Sequence, residues 1–304
     1  MGLKDTVEDI KALKIQGAQN VAIAAISAIK KLLDDSIFKD SNDLVLKLNR
    51  ARKLFFESRP TEPCMRNSIN YVLDIHYSND FNSLKRAVNL RTEEVKKHLK
   101  SVNTRINNVG YNKIKNGYRV FTHCHSGTVI GILKHAHNQG RKFEVYNTET
   151  RPLFQGRKTA LELAKAGIKV HHFVDSAAKE ALKKADIVLL GCDAIISIGD
   201  VINKIGSEQI VEIAEKHDIP VYICTDSWKF DPNTIQGYDE EMEERNKKEV
   251  WDIKNKNIKI HNPAFAKLGP ENITGILSEL GIYPPMIFVE EVKQEYPWMF
   301  ESSL

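Results

Sequence analysis

Short apolar runs rich in β-branched residues alternate with helical stretches through the second half of the chain, and this pattern constrains the fold most strongly. The apolar runs cover residues 118–122, 143–147, 170–174, 187–190 and 221–225. The helical stretches between them cover residues 127–138, 157–166, 177–185 and 207–217. Strands that are apolar on both faces are typical of a parallel sheet covered by helices on each side. The alternation therefore predicts an α/β fold with a doubly wound, Rossmann-like parallel sheet.

The first hundred residues follow a different pattern. Apolar residues recur there at helical spacing over 10–55 and again over 64–100. The motif Arg59-Pro60-Thr61-Glu62-Pro63 separates the two stretches, because the interior of a helix does not accommodate proline. We therefore predict a helical N-terminal domain over residues 1–110, followed by a Rossmann-like domain over residues 111–304.

Composition excludes several classes of protein. The 44 basic and 40 acidic residues leave a formal charge of +4, which is too small to indicate a nucleic-acid partner. The four cysteines follow no metal-binding or disulfide spacing, so we expect a reducing, cytoplasmic location. The longest apolar run, residues 21–29, is far shorter than the roughly 20 residues that cross a bilayer, so we expect no membrane association.

Ligands of open parallel sheets bind outside the carboxyl ends of the strands, so the segment after the first predicted strand is a candidate site. Small residues, Ser126, Gly127 and Thr128, begin the helix that follows this strand. Backbone N–H groups at such a helix start can bind an anion, and we expect a phosphate there. The chain contains neither GxGxxG nor GxxxxGK[ST], which argues against a dinucleotide and against P-loop chemistry.

Cys124 lies just before that helix. A thiol beside a helix N-terminus and near cations has a lowered pKa and can act as a base or nucleophile; the alternative is a buried structural thiol. His123 and His125 flank it and are also possible metal ligands. Only the two histidines could share one face of a strand, and a metal site requires further ligands, so we expect no metal.

A second candidate segment follows the fourth apolar run. Asp193 is the first charged residue after that run, and apolar surroundings can raise the pKa of a carboxyl group and make it a general acid; the alternative is a loop or helix cap. Asn203 and Lys204 suit a polyol phosphate, and Lys229 follows the last run at the same edge. Arg59 lies in the rigid two-proline turn and is a further phosphate ligand. Together these residues suggest proton transfer on a phosphorylated sugar.

Short motifs occur in a characteristic order across most of the chain. They are Gly17-Ala18, Arg59-Pro60-Thr61-Glu62-Pro63, Thr122-His123-Cys124-His125-Ser126, Glu149-Thr150-Arg151-Pro152 with Gln155-Gly156, Gly191-Cys192-Asp193, Gly199-Asp200 with Asn203-Lys204-Ile205-Gly206, Lys229-Phe230, and Asn262-Pro263-Ala264-Phe265. This series resembles a superfamily that contains the regulatory subunits of translation initiation factor 2B, methylthioribose-1-phosphate isomerase and archaeal ribose-1,5-bisphosphate isomerase.

The resemblance implies an aldose–ketose isomerase that converts ribose 1,5-bisphosphate to ribulose 1,5-bisphosphate, in the context of AMP metabolism. The isomerases carry a catalytic Cys and Asp, which Cys124 and Asp193 match in the predicted catalytic domain. The resemblance implies no cofactor. It implies homo-oligomers, either dimers or hexamers. By the same similarity, the substrate is bound by Gln16, Gly17, Ala18, Gln19, Arg59, Ser126, Gly127, Thr128, Asn203, Lys204 and Lys229.

Two departures from the family pattern keep alternatives open. Gln16 stands where the family usually has Arg, and Ala266 where it usually has Asp. One alternative is a non-catalytic regulatory subunit that binds a sugar phosphate or nucleotide. The other is a methylthioribose-1-phosphate isomerase.

The charge-rich segment 239–259 is predicted to be either a solvated surface or a mobile flap over a site.

Overall fold

The computed structural model describes residues 2–74, 80–238 and 243–300. The chain divides into two compact units, Met1–Val102 with Tyr296–Leu304, and Asn103–Glu295. The boundary predicted at residue 110 coincides with the end of a long helix, whereas the units part within that helix, after Val102. No helix in the described ranges has the length and apolar character that crossing a membrane requires.

The first unit is helical, as the apolar spacing predicts. Its helices are α1 (Leu3–Lys11), α2 (Ala18–Asp35), α3 (Ser41–Ser58), α4 (Pro63–Leu73) and the first part of α5 (Phe81–Gly110). The predicted break at the two prolines is confirmed, and Pro63 begins α4, where its missing N–H breaks no helical hydrogen bond. The periodicity over 64–100 belongs to two helices, and residues 75–79 of that stretch lie outside the described part.

The second unit alternates strands and helices. After the end of α5 its elements are β1 (Arg119–Thr122), α6 (Gly127–Asn138), β2 (Glu144–Thr148), α7 (Gln155–Lys165), β3 (Lys169–Phe173), α8 (Ala178–Leu182), β4 (Ile187–Leu190), β5 (Ala194–Ile195), β6 (Val201–Lys204), α9 (Ser207–Glu215), β7 (Val221–Cys224), β8 (Phe265–Leu268), β9 (Gly275–Ser278), β10 (Gly281–Tyr283) and α10 (Pro285–Glu295).

The main sheet has seven strands in the order β10-β9-β7-β4-β1-β2-β3. Six of them are parallel, and only the edge strand β10 is antiparallel to its neighbour. Each of the five apolar runs predicted to be strands forms a strand of this sheet, so the predicted doubly wound α/β class is confirmed. The strand order reverses between β1 and β4, and such a switch point leaves a crevice at the carboxyl ends of the two strands.

A second sheet, which the sequence pattern does not predict, has the order β5-β6-β8 and is antiparallel. Its strands are short, and β8 lies more than sixty residues beyond β6 in the chain, so local periodicity carries little trace of the pairing. In this sheet Lys204 pairs with Phe265. A small apolar core supports the sheet: Ala194, Ile196, Ile202, Ala264 and Phe265.

Candidate active site

Cys124 lies in the loop between β1 and α6, at the switch point of the sheet. Its φ is 67°, a left-handed conformation that residues other than glycine seldom adopt. Two threonines hold it there: the Cys124 amide donates to Thr150 Oγ1 at 2.9 Å, and Thr159 Oγ1 donates to the Cys124 carbonyl at 2.7 Å. Backbone strain of this kind persists only where surrounding contacts enforce it, and it concentrates at functional sites.

Thr150 is itself fixed by the protein around it. It is completely buried, has a φ of 60°, and its amide donates to Asp175 Oδ1 at 2.7 Å. Sequence pattern marks Thr150 only as part of a family motif and does not mark Thr159. Thr150 could have been found from its position after β2, at the carboxyl edge that also holds Cys124, whereas Thr159 lies within α7 and has no such signal.

The helix start predicted to bind phosphate is formed as expected. Ser126 caps α6, its Oγ accepting from the Val129 amide at 3.3 Å. A Cβ at Gly127 would have no heavy atom within 4 Å, so the space beside this helix start, which Thr128 continues, is open. A Cβ at Gly191 would lie 2.7 Å from that of Ser126, so the segments after β1 and β4 are in close contact.

Asp193 lies in the segment after β4. Its amide donates to the Ile202 carbonyl at 2.8 Å, which joins it to the strand that ends at Lys204. Within the described ranges its carboxylate makes no hydrogen bond or ion pair with another side chain. It does interact electrostatically with both Cys124 and Lys204. The structure therefore brings the predicted base, the predicted acid and one predicted phosphate ligand together.

The electrostatics of Cys124 differ from the sequence prediction. Burial raises the pKa of its thiol to about 11, and the nearby Asp193 charge adds to the rise. Three effects lower the pKa of the thiol: the charge of Lys204, a hydrogen bond from the His125 amide, and the charge of Arg245. Together they do not outweigh burial. The prediction of a lowered pKa is therefore wrong, because a site inside the protein removes more solvation than the cations replace.

The other predicted phosphate ligands of this unit lie close by. Lys204 is 8% exposed, and its Nζ lies 4.9 Å from the centre of the Phe265 ring. Burial lowers the pKa of this ammonium, while Cys124 and Asp193 raise it. Asn203 is buried and its Nδ2 donates to Ser207 Oγ at 2.9 Å.

Lys229 is also buried, and its Nζ donates to the carbonyl of Cys192. It therefore lies next to the backbone that carries Asp193. A positive charge at this point can hold the Asp193 segment in place as well as attract an anion.

The two histidines beside Cys124 make structural contacts. His123 is buried, its Nε2 donates to the Ile205 carbonyl at 2.9 Å, and its Nδ1 accepts from Thr148. Burial lowers its pKa, which favours the neutral ring that these bonds require. His125 Nδ1 donates to Thr159 Oγ1 at 3.0 Å, so it supports the residue that holds the Cys124 carbonyl.

The remaining predicted substrate ligands belong to the first unit. Gln16 is exposed and its Nε2 donates to the Leu13 carbonyl at 2.7 Å. Gly17, with a φ of 87°, precedes α2, and Ala18 and Gln19 form its first turn. Arg59 precedes α4, and its Nη2 lies 3.6 Å from the Glu62 carboxylate. The role of these five residues in substrate binding stays a prediction.

Arg245 is a residue of this site that the sequence analysis missed. It lies in the segment predicted to be a solvated surface or a flap, of which residues 239–242 lie outside the described part. Its side chain is only 10% exposed, and it acts on the pKa of both Cys124 and Lys204. The burial of Arg245 is not predictable from its neighbours, because an arginine among so many charged residues is expected to face solvent.

Comparisons with known proteins show which family the chain resembles. A family model described as "Initiation factor 2 subunit family" matches residues 14–285. A ribose 1,5-bisphosphate isomerase of Pyrococcus furiosus is 36% identical, covering 98% of this chain and 95% of that protein. A methylthioribose-1-phosphate isomerase of Thermosipho melanesiensis is 32% identical, covering 93% and 87%. The crystal structure of a translation initiation factor eIF-2B of Pyrococcus horikoshii has the same fold, with a TM-score of 0.83 at 24% identity, covering 94% of this chain and 98% of that one.

Proposed function

The chain belongs to the initiation factor 2 subunit family, and within that family we propose that it is an aldose–ketose isomerase that converts ribose 1,5-bisphosphate to ribulose 1,5-bisphosphate. The relative from Pyrococcus furiosus that carries this activity in its name matches almost the full length of both chains. One observation carries the proposal at the site: a thiol, a carboxylate and a buried ammonium, those of Cys124, Asp193 and Lys204, interact at the switch point of the sheet.

The proposed reaction starts at C2 of the closed sugar ring. The Cys124 thiolate accepts the C2 proton, the new electron pair forms the C1–C2 double bond, and the C1–O bond of the ring breaks. Asp193, which accepts a proton before this step, donates it to the departing ring oxygen. The intermediate is an open-chain enol that keeps its phosphate on C1.

The second half of the reaction reverses the direction of both proton transfers. Cys124 returns its proton to C1, the C2 hydroxyl loses its proton to Asp193, and a ketone forms at C2. Both groups then regain their starting protonation states, so the cycle balances with no other reactant. Positioned acid–base groups of this kind contribute about 10²–10⁴-fold each to the rate.

The Cys124 thiol must lose its proton before it can act as a base. At a pKa of about 11 only a small fraction of Cys124 is thiolate near neutral pH. Lys204 favours the thiolate, since it lowers the pKa of the thiol. We therefore infer that a minor ionised population of the thiol reacts, and that the lysine increases it.

The proposal is tested by following both candidate substrates with the purified protein. We expect turnover of ribose 1,5-bisphosphate to ribulose 1,5-bisphosphate, detected by phosphorus NMR, and much slower turnover of methylthioribose 1-phosphate. Cys124→Ser and Asp193→Asn should each remove turnover while the thermal unfolding transition stays cooperative. Wild-type protein that converts neither sugar, or either variant with near-normal turnover, would contradict the proposal.

We also propose that the protein forms homo-oligomers. An exposed apolar patch of the second unit supports this: Ile198, Met286 and Ile287 are each about half exposed, and Met286 lies against Gly199. Light scattering on a size-exclusion column would test it, and a monomer at micromolar concentration would contradict it.

A cytoplasmic location is a further proposal. All four cysteines are free thiols, which fits a reducing compartment.

A further inference from the structure

Arg245 is attached by its backbone to the strand region next to Lys204. Its amide donates to the Asn262 carbonyl at 2.9 Å, and the Ala264 amide donates to the Glu243 carbonyl, also at 2.9 Å. This pairing continues directly into β8, whose first residue is paired with Lys204. Short backbone connections therefore link the two cations.

The turn that follows Arg245 is held by a buried amide. Asn262 is 3% exposed, and its Nδ2 donates to the Asn246 carbonyl at 2.9 Å and to Glu249 Oε2 at 3.0 Å. These bonds hold the backbone on both sides of Arg245 next to β8, and the side chain itself is largely buried. A preorganised side chain loses less entropy when it binds a ligand.

The Arg245 guanidinium has more donors than the described part of the protein satisfies. Its buried Nε lies 3.3 Å from Glu243 Oε1 but makes no hydrogen bond. No further hydrogen bond or ion pair of this side chain is formed within the described ranges. An arginine carries five N–H donors, and leaving them unpaired inside a protein is unfavourable. The arrangement is therefore suited to an anion that is supplied from outside the chain.

Electrostatic effects relate Arg245 to two residues of the candidate site, Cys124 and Lys204. Arg245 lowers the pKa of the Cys124 thiol and of the Lys204 ammonium, so it is close to both. Asp193 and Glu243 supply negative charges that raise the pKa of Lys204 and partly offset the two cations.

We propose that Arg245 is a substrate-binding residue of this site, and that it binds the C1 phosphate of the sugar together with Lys204. The inference rests on the proposed function. In that reaction Cys124 exchanges protons with C1 and C2, so a phosphate bonded to C1 lies next to Cys124, within reach of both cations. The planar guanidinium matches two phosphate oxygens, whereas an ammonium offers a single point charge.

The test compares Arg245→Gln and Arg245→Met with a matched control, Lys248→Gln, in the same segment. Lys248 is largely exposed and pairs only loosely with Asp252, at 3.8 Å. We expect kcat/KM for ribose 1,5-bisphosphate to fall by roughly 10–150-fold in the Arg245 variants, which corresponds to a charged hydrogen bond. The fall should appear mainly in KM, because the phosphate is bound in the ground state as well. Lys248→Gln should stay within about twofold of wild type.

A second readout does not depend on turnover. Alkylation of Cys124 by iodoacetamide should be slowed by inorganic phosphate, and the phosphate concentration for half-protection should rise by about tenfold or more in the Arg245 variants. For Arg245→Lys this half-protection concentration should lie between those of wild type and Arg245→Gln, because lysine keeps the positive charge but lacks the planar guanidinium that binds two phosphate oxygens.

The possible outcomes separate this inference from the proposed function. Wild-type protein that does not isomerise either sugar contradicts the proposed function, and phosphate protection then still tests Arg245. Wild-type protein that isomerises, with Arg245 variants equal to Lys248→Gln in both kcat/KM and protection, overturns the inference. Should Arg245→Gln fail to fold, Arg245→Met decides by the same comparison, because its unbranched apolar chain requires no buried partner.

Discussion

The amide of Cys124 donates a hydrogen bond to the Thr150 side-chain oxygen, and both residues have left-handed backbone conformations. The bond joins the loop after β1 to the loop after β2. It fixes the direction in which Cys124 leaves the strand, and thereby the position of its thiol. A residue far from Cys124 in sequence thus controls the geometry of the proposed base.

Replacing Thr150 should therefore impair catalysis through Cys124. Thr150→Val keeps the side-chain shape but removes the acceptor, which leaves the Cys124 amide unpaired at a cost of about 1–3 kcal/mol in the free energy of unfolding. We expect kcat to fall by about tenfold or more, because the thiol is no longer held in position. Thr150→Ser keeps the oxygen and should retain most of the activity. Equal kcat and equal urea-unfolding midpoints for the two variants would argue against this role.

The raised pKa of Cys124 predicts how its reactivity depends on pH. Because the thiol ionises at about 11 and only the thiolate is alkylated, the rate should rise about tenfold per pH unit from 7 towards 10. The alkylation rate of a cysteine in a short unstructured peptide should level off above about pH 8.5. The other cysteines, Cys64, Cys192 and Cys224, are buried, so Cys124→Ser should remove the labelling. A plateau near neutral pH would show that the thiol is already ionised and would contradict the expected dependence.

The features that local sequence determines were predictable, and those that depend on distant contacts were not. Helix α6 has the predicted bounds, because a capping serine and an apolar face define it locally. The β5-β6-β8 sheet joins segments that are far apart in sequence, so periodicity does not reveal it.

The same division applies to the candidate site. Cys124, Asp193 and Lys204 were identifiable because each lies in or beside a segment that follows a predicted strand, or in a family motif. The pKa of the thiol and the burial of Arg245 were not, because both arise from tertiary packing around segments whose own composition is polar. Sequence pattern predicted that Cys124, Asp193 and Lys204 lie near one another, but not the environment in which they do so.

Two glycines should respond in opposite ways to replacement by alanine. A Cβ at Gly156 would lie 1.7 Å from the Thr148 carbonyl oxygen, and backbone must move to relieve the overlap. We expect Gly156→Ala to lower the free energy of unfolding by several kcal/mol, about 3 or more, as strained core substitutions do. Gly127→Ala meets open space and should leave that free energy unchanged or raise it by up to about 1 kcal/mol.

Gly127→Ala tests the helix start as an anion site at the same time. If a phosphate approaches the backbone there, an added methyl group should raise KM for ribose 1,5-bisphosphate severalfold while the protein stays folded. Denaturation in urea and initial rates on the same preparations give both quantities. An unchanged KM would remove the α6 start from the binding site.

Lys204→Met should separate stability from function. Within the described part of the chain the Lys204 ammonium makes no hydrogen bond or ion pair, and burial lowers its pKa, so burying its charge is unfavourable for stability. Replacing a buried charge with an apolar side chain of similar length should leave the free energy of unfolding unchanged or raise it by about 1 kcal/mol or more.

The same substitution should raise KM by roughly tenfold or more, since a charged contact to phosphate is lost. It should also raise the pKa of the Cys124 thiol further, because Lys204 lowers it. Lys267→Met, which removes a half-exposed lysine paired with Asp200, is the control that should leave KM unchanged. A Lys204→Met protein that is less stable than wild type but binds substrate normally would assign the lysine a structural role instead.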